Sequence, residues 1–220
     1  MKFARESREL TRITLQSDSS WFALAALLSA ALLLSGCLSR PALKRESFNF
    51  AVPQIKLVSS SENERVLGVR SIDVASAYQG RSFVYRTGDS SYERDPYAEF
   101  FVSPAESLLN AVRGSFRESG LFQSVADRAS LLKPNTLLEI HVSQLYGDFR
   151  DPKQAAGVLS IRFVFFDAPN ETPGSVLFQK SYSRRIPFKT RTAAALMTAW
   201  NEALTQILTD LAADLKKRNL

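Results

Sequence analysis

Apolar and polar positions along this chain fall into three regimes. From Trp21 to Leu34 the sequence reads W-F-A-L-A-A-L-L-S-A-A-L-L-L, with Ser29 its only polar member. Residues 38–63 then mix Ser, Pro, Lys and Glu with isolated apolar positions, and Ser59-Ser60-Ser61-Glu62-Asn63 is wholly polar. That predicts a solvated tether, with a first strand at either Phe48–Val52 or Ile55–Val58. Beyond residue 64 the apolar spacing switches between two and about 3.6 residues, the mark of strands and helices sharing one core.

In this third regime Arg65–Ala75 alternates well enough to predict a strand, and Ser82–Arg86 a second between turns at Gly80 and Gly88. A third is expected over the aromatic stretch Tyr97 to Val102. Ser103-Pro104-Ala105-Glu106 then combines an N-cap serine, a proline at the first helical position and a glutamate placed for a capping box. Leu108, Leu109, Val112 and Phe116 recur at helical spacing after it, and Gly120 sits where a left-handed C-terminal residue is wanted. Leu121 and Phe122 are expected to fold back onto that apolar face.

Two long strands follow, Thr136–Tyr146 and Val158–Phe166, linked by a turn at Gly147-Asp148-Phe149-Arg150-Asp151-Pro152. Val176–Ile186 supplies another strand, and the three together predict an antiparallel meander. A closing helix spans about Thr192 to Lys217, with Met197, Trp200, Leu204, Ile207 and Leu211 as its stripe. This order predicts an α+β fold: a mixed, largely antiparallel sheet with two amphipathic helices packed on one face.

Composition narrows the function classes. The 220 residues are 45% hydrophobic and 23% charged, near the globular average, with a formal charge of +6. The basic excess is spread along the chain rather than gathered into a stripe, so nucleic acid is not an expected partner. One cysteine precludes an internal disulfide and a multi-thiolate metal site. The single histidine, His141, shares a strand face with Glu139 and Ser143, but such neighbours stand about 7 Å apart, too far for a proton relay. Asp148 and Asp151 read as turn residues. No catalytic group, metal or freely bound cofactor is expected, and the chain is not expected to be an enzyme.

The cysteine matters through its position. A helix of fourteen residues is about 21 Å long, short of a hydrocarbon core of about 30 Å, and a basic segment precedes it. That is the layout of a secretory signal, with an uncleaved anchor as the plainer reading if the run is stretched to Leu38, a length marginal for spanning. Leu34-Ser35-Gly36-Cys37 resembles the lipobox of bacterial lipoproteins, a Leu and two small residues before a Cys. Small residues admit a peptidase to the backbone between Gly36 and Cys37. The Cys37 thiol is the one nucleophile there able to accept a diacylglyceryl group, so covalent acyl and diacylglyceryl groups are expected on it. The expected organisation is therefore a signal at 1–36, a lipidated tether at 37–63 and a domain at 64–220. Leu38, rather than an aspartate, follows Cys37. In diderm lipoproteins this points to the outer membrane, facing the periplasm, rather than to the inner membrane.

Further residues carry a second resemblance. Leu67-Gly68-Val69 leads a strand, and Gly80-Arg81-Ser82-Phe83-Val84-Tyr85-Arg86 follows. Tyr92, Tyr97 and Phe100 come next, then Val102-Ser103-Pro104-Ala105 opens a helix that exits through Ser119-Gly120-Leu121-Phe122. Over residues 65–125 this resembles the ABC-type transport auxiliary lipoproteins, which include the paraquat-inducible protein C type. It departs from the family's pattern at Ala98-Glu99-Phe100, where a tryptophan is usual. The resemblance implies a fold similar to the N-terminal domain of TolB. It also implies a place in an intermembrane lipid-transport system, with a mammalian-cell-entry (MCE) type protein and its permease and ATPase as partners. A lipid or lipopolysaccharide carrier is the alternative role, and homo-oligomerisation is left open.

Two surface features complete the expectations. The most basic stretch of the mature chain, residues 180–191, offers Arg184, Arg185, Lys189 and Arg191 to lipid headgroups or an acidic partner, against a solvated strand edge as the plainer reading. Tyr85, Tyr92 and Tyr97 are candidates for a partner-binding aromatic patch, with core packing as the plainer reading.

Overall fold

The computed structural model describes Trp21 and residues 44–55, 64–127, 131–168, 174–218 and 220. Gly36 and Cys37 lie outside the described residues. Among these residues the strands of unit 44–220 form one eight-stranded sheet. They are β1 (Glu46–Phe48), β2 (Val66–Val74), β3 (Ser82–Arg86), β4 (Tyr92–Phe100), β5 (Ser124–Ala126), β6 (Thr136–Asp148), β7 (Ala155–Asp167) and β8 (Val176–Phe188). Helix α1 (Pro104–Ser119) lies between β4 and β5, and α2 (Ala193–Lys217) closes the chain.

The fold class is α+β, as the spacing predicts. Strands β6, β7 and β8, each of 13 residues, make the antiparallel meander. The remaining strands assemble around β6. On its free edge β2 pairs parallel along Leu67–Val74, and β3 pairs parallel at Tyr85 and Arg86 only. The short strands β5 and β1 add in parallel to β2 and β4.

Both helices cover the same face. The odd-numbered residues of β7 point at them: Ala199 of α2 lies 2.9 Å from where a Cβ on Gly157 would stand, and Phe165 meets Phe116 of α1 edge-on at 6.4 Å. Trp200 sits at the centre with no exposed surface, against Phe83 at 4.8 Å and Phe100 at 5.7 Å. Its indole N–H donates to the carbonyl of Tyr146 at 3.3 Å, which satisfies the one polar atom this large side chain takes into the core.

Helix ends follow the sequence signals. Ser103 Oγ accepts from the Glu106 N–H at 3.1 Å, and Thr192 Oγ1 accepts from the Ala195 N–H at 3.2 Å. Gly120 ends α1 at φ 68°, and Phe122 folds back onto Phe116 at 5.6 Å.

Three expectations need correction. The chain from 44 to 55 is no free tether: its first strand is Glu46–Phe48, and the segment after it straps across both helices. Phe50 is buried and stacks on Phe100 at 5.7 Å, and its N–H donates to Ser107 Oγ at 2.8 Å. The Ala51 N–H reaches Asn201 Oδ1 on α2, the Pro53 carbonyl accepts from Ser115 Oγ on α1, and Ile55 is buried beyond them. The isolated apolar residues are anchors whose polar neighbours face water. Second, β4 begins at Tyr92, not Tyr97, because Tyr92, Glu93 and Arg94 pair with Arg86, Tyr85 and Val84 of β3; the Asp95 carboxylate accepts from the Tyr97 and Ala98 N–H groups at the irregularity that follows. Third, β6 continues through Asp148, which is 1% exposed and lies in the strand, not in a turn.

Candidate functional site

With both helices on one face, the opposite face of the meander carries no α-helix, though Tyr146, Asp148, Ala156 and Val158 on it are buried under neighbouring side chains. Even-numbered residues of β7 and odd-numbered residues of β8 line it. Toward one end of β6 it carries Glu139 and His141, bonded across to β2: Glu139 to Arg70 at 2.5 Å and His141 Nδ1 to Asp73 at 2.8 Å. Ser143 falls at a bulge and its hydroxyl turns to the Ser160 carbonyl instead. Glu139, His141 and Ser143 are thus not a relay. Among the described residues no three His, Cys, Asp or Glu side chains converge to hold a metal ion.

At the other end of β6 this face is aromatic and basic. Tyr146 stacks on Tyr78 at 6.0 Å and meets Tyr92 edge-on at 5.9 Å, and the Arg86 guanidinium lies 5.8 Å over the Tyr92 ring. Ala77, Tyr78, Val84, Tyr92, Glu93 and Arg94 line a half-open surface cavity of about 380 Å³ beside them. Tyr78 is pushed up to about 12, first by burial and then by its neighbour Tyr92, so its phenol stays protonated as a donor. Tyr92 is 47% exposed at the rim. The arrangement offers a ligand flat aromatic surface, phenol hydroxyls and the Arg94 cation.

Next to it Asp148 organises the basic residues. Arg150 grips its two oxygens at 3.0 and 2.7 Å, and Arg185 reaches Oδ2 from β8 at 2.5 Å. The Arg150 bonds, with help from Arg185, hold the Asp148 carboxyl far below the usual range despite its burial.

The remaining sequence-predicted residues disperse. Arg184 faces the helix side of β8, where its guanidinium bonds Asp210 and Gln206 of α2. Arg191 donates to the Asp151 carbonyl at 2.5 Å and lies 5.0 Å over the Phe149 ring. Lys189 is exposed just past β8. Residues 180–191 therefore split between two faces, and their arginines bond acidic or carbonyl groups of this same chain; they form no continuous basic patch.

Tyr85 also belongs to the helix side, stacked on Phe149 at 4.6 Å with its hydroxyl donating to Asp95 at 2.5 Å. Burial and that bond push its ionisation well above the ordinary phenol value. Tyr97 is 45% exposed at the β1 side of the sheet, away from Tyr92. Of the three predicted tyrosines only Tyr92 joins the cavity. Its companions Tyr78, Tyr146 and Arg94 escape the sequence reading; a tyrosine ending the alternating run of β6 was the available signal.

No protein-family model and no curated protein matches this chain. Among solved structures, it is similar to a Xanthomonas campestris protein described under the family model DUF330, at 17% identity and TM-score 0.66, covering 76% of this chain and 92% of that one. It is also similar to the crystal structure of an uncharacterized protein, at 16% identity and TM-score 0.53, covering 77% and 99%. These likenesses show that the α+β fold is shared. At such identities they speak to fold alone.

Proposed function

We propose that this chain is an exported lipoprotein held by a diacylglyceryl-modified Cys37 at the periplasmic face of the outer membrane. Its domain serves there as a docking component of an MCE/ABC-type lipid transporter. One observation carries the anchor: the chain's only cysteine follows Leu34-Ser35-Gly36 at the end of an apolar run too short to span a bilayer. Among the described residues no helix is long and apolar enough to cross a membrane. Two or more acyl chains make such attachment effectively permanent.

The docking role rests on the resemblance over residues 65–125 and on the helix-free sheet face. Tyr92 and Arg94, both exposed, supply the aromatic and arginine side chains that dominate protein interfaces. The carrier alternative is less well supported. The space between helices and sheet, where acyl chains would lie, is filled by Phe83, Phe100, Phe116, Phe163, Phe165 and Trp200, all essentially unexposed.

The test is affinity isolation of the full chain from detergent-solubilised membranes. Co-isolation of an MCE-type protein and its permease is expected, and Tyr92→Ala should weaken it. Recovery of the chain alone under mild cross-linking overturns the docking role, and lipid extracted from the purified domain would favour the carrier.

A further inference from the structure

We propose that the β1 edge of the domain, with Lys44, Arg45, Tyr97 and Phe101, rests on the anionic lipid surface that holds Cys37. The inference builds on the lipoprotein reading and adds which side of the domain faces the membrane.

The first argument is reach. The strap at 44–55 is part of the domain, so the connection from Cys37 ends at β1, nine residue steps away. A fully extended chain covers at most about 3.6 Å per residue, or about 32 Å in all. A domain of this size is about 40 Å across. That length is shorter than the domain is wide, and it is the β1 side that the chain ties to the anchored sulfur.

The second argument is what that side displays. Glu46 pairs with Ala98, and the Phe101 N–H donates to the Phe48 carbonyl at 2.8 Å, so the end of β4 lies directly beside β1. Ala98 and Phe100 point into the core at 3% and 2% exposure. The alternating residues point outward: Tyr97 is 45% exposed, Glu99 is neutralised by Arg81 at 2.8 Å, and Phe101, just past the strand, is 64% exposed. Single exposed apolar side chains are ordinary. Here two aromatic rings flank the strand at which the chain enters the domain, and two exposed cations, Lys44 and Arg45, immediately precede that strand. Aromatic rings favour the headgroup level of a bilayer, and juxtamembrane lysine and arginine are drawn to anionic lipid.

The alternative basic surface does not compete. Arg184 and Arg185 are bonded to Asp210 and Asp148 of this chain, and they lie on β8, across the sheet from β1.

The experiment uses the full chain, expressed with its signal and reconstituted in vesicles of phosphatidylethanolamine and phosphatidylglycerol carrying brominated acyl chains. Residues 38–220 contain one tryptophan, Trp200, which is fully buried and reports that the fold is intact. Phe101→Trp adds a probe at the proposed contact, Tyr97→Trp a second, and Val176→Trp, at an exposed position on β8, a control. The mass of the N-terminal peptide is measured on the same samples.

With a diacylglyceryl group on Cys37, the Phe101→Trp and Tyr97→Trp signals should be quenched and blue-shifted while Val176→Trp keeps its emission. A lipidated Cys37 with all three probes equally unquenched overturns the inference and leaves the lipoprotein reading standing. An unmodified Cys37 overturns both.

Discussion

Arg185 on β8 reaches across β7 to place its Nη1 atom 2.5 Å from Oδ2 of Asp148 on β6. Arg150 grips both oxygens of the same carboxylate, so a nearly unexposed anion is shared by two cations that are themselves partly in water. Replacing Asp148 with Asn keeps the shape and removes the charge. We expect a loss of about 2 kcal/mol at pH 7, read from urea unfolding with an unchanged m-value.

The same residue sets a pH dependence. Its folded-state ionisation lies far below the ordinary carboxylate value of 3.8. The stabilisation is therefore complete above the unfolded value and is lost as pH falls through and below it, because the unfolded chain then binds a proton that the folded one refuses. The stability gap between the parent chain and Asp148→Asn should be constant from pH 8 to 5 and close below about pH 4. A gap that widens in acid would contradict the assignment.

Gly114 in α1 faces Val52 of the strap. A Cβ there would lie 2.8 and 2.9 Å from the two Val52 methyl carbons. Alanine ordinarily improves a helix interior over glycine by about 1 kcal/mol. Gly114→Ala should instead be neutral or destabilising. Paired with Val52→Ala, it should recover the helical gain, a coupling that a double-mutant cycle measures directly.

The strap itself should be essential. Phe50→Ala removes a buried ring stacked on Phe100, at a cost of about 3 kcal/mol. A chain begun at residue 64 should show low thermal stability and expose Phe100 and Trp200 to quenchers. One begun at residue 44 should fold like the parent.

Close approach of strand and helix makes the same demand at Gly157. A Cβ there would meet the Ala199 Cβ at 2.9 Å and the Trp200 ring at 3.2 Å. Because the first of these belongs to a side chain with no rotamer to change, Gly157→Ala should cost about 2 kcal/mol, measurable as a lowered Tm.

The readability of the sequence tracks how local each cause is. Both helices carried their own boundary signals, Ser103 with Pro104 and Gly120 for one, Thr192 for the other. The meander carried its own alternation. What escaped depended on residues far apart in the chain. Strand β5 has three residues and exists because Val66, Leu67 and Gly68 of β2 offer it a parallel partner. Phe50 and Ile55 looked like stray apolar residues in a polar run because the helices that bury them come 50 or more residues later. Asp148 sat in a run with the polarity and proline of a turn, and its partner Arg185 is 37 positions away. The tyrosine cavity is assembled the same way, from Tyr78, Val84 and Tyr92, far apart in the chain, with Tyr146 packed behind the two tyrosines.

The bond between the Ala51 N–H and Asn201 spans 150 positions, joining an early part of the domain to its closing helix. Contacts of such separation carry a large loop-closure cost and slow the search for the native state. During synthesis the strap emerges long before α2 exists to receive it. The core is therefore incomplete until the last eighth of the chain, which holds α2, has been made, and the growing polypeptide lacks that closing layer over most of its production.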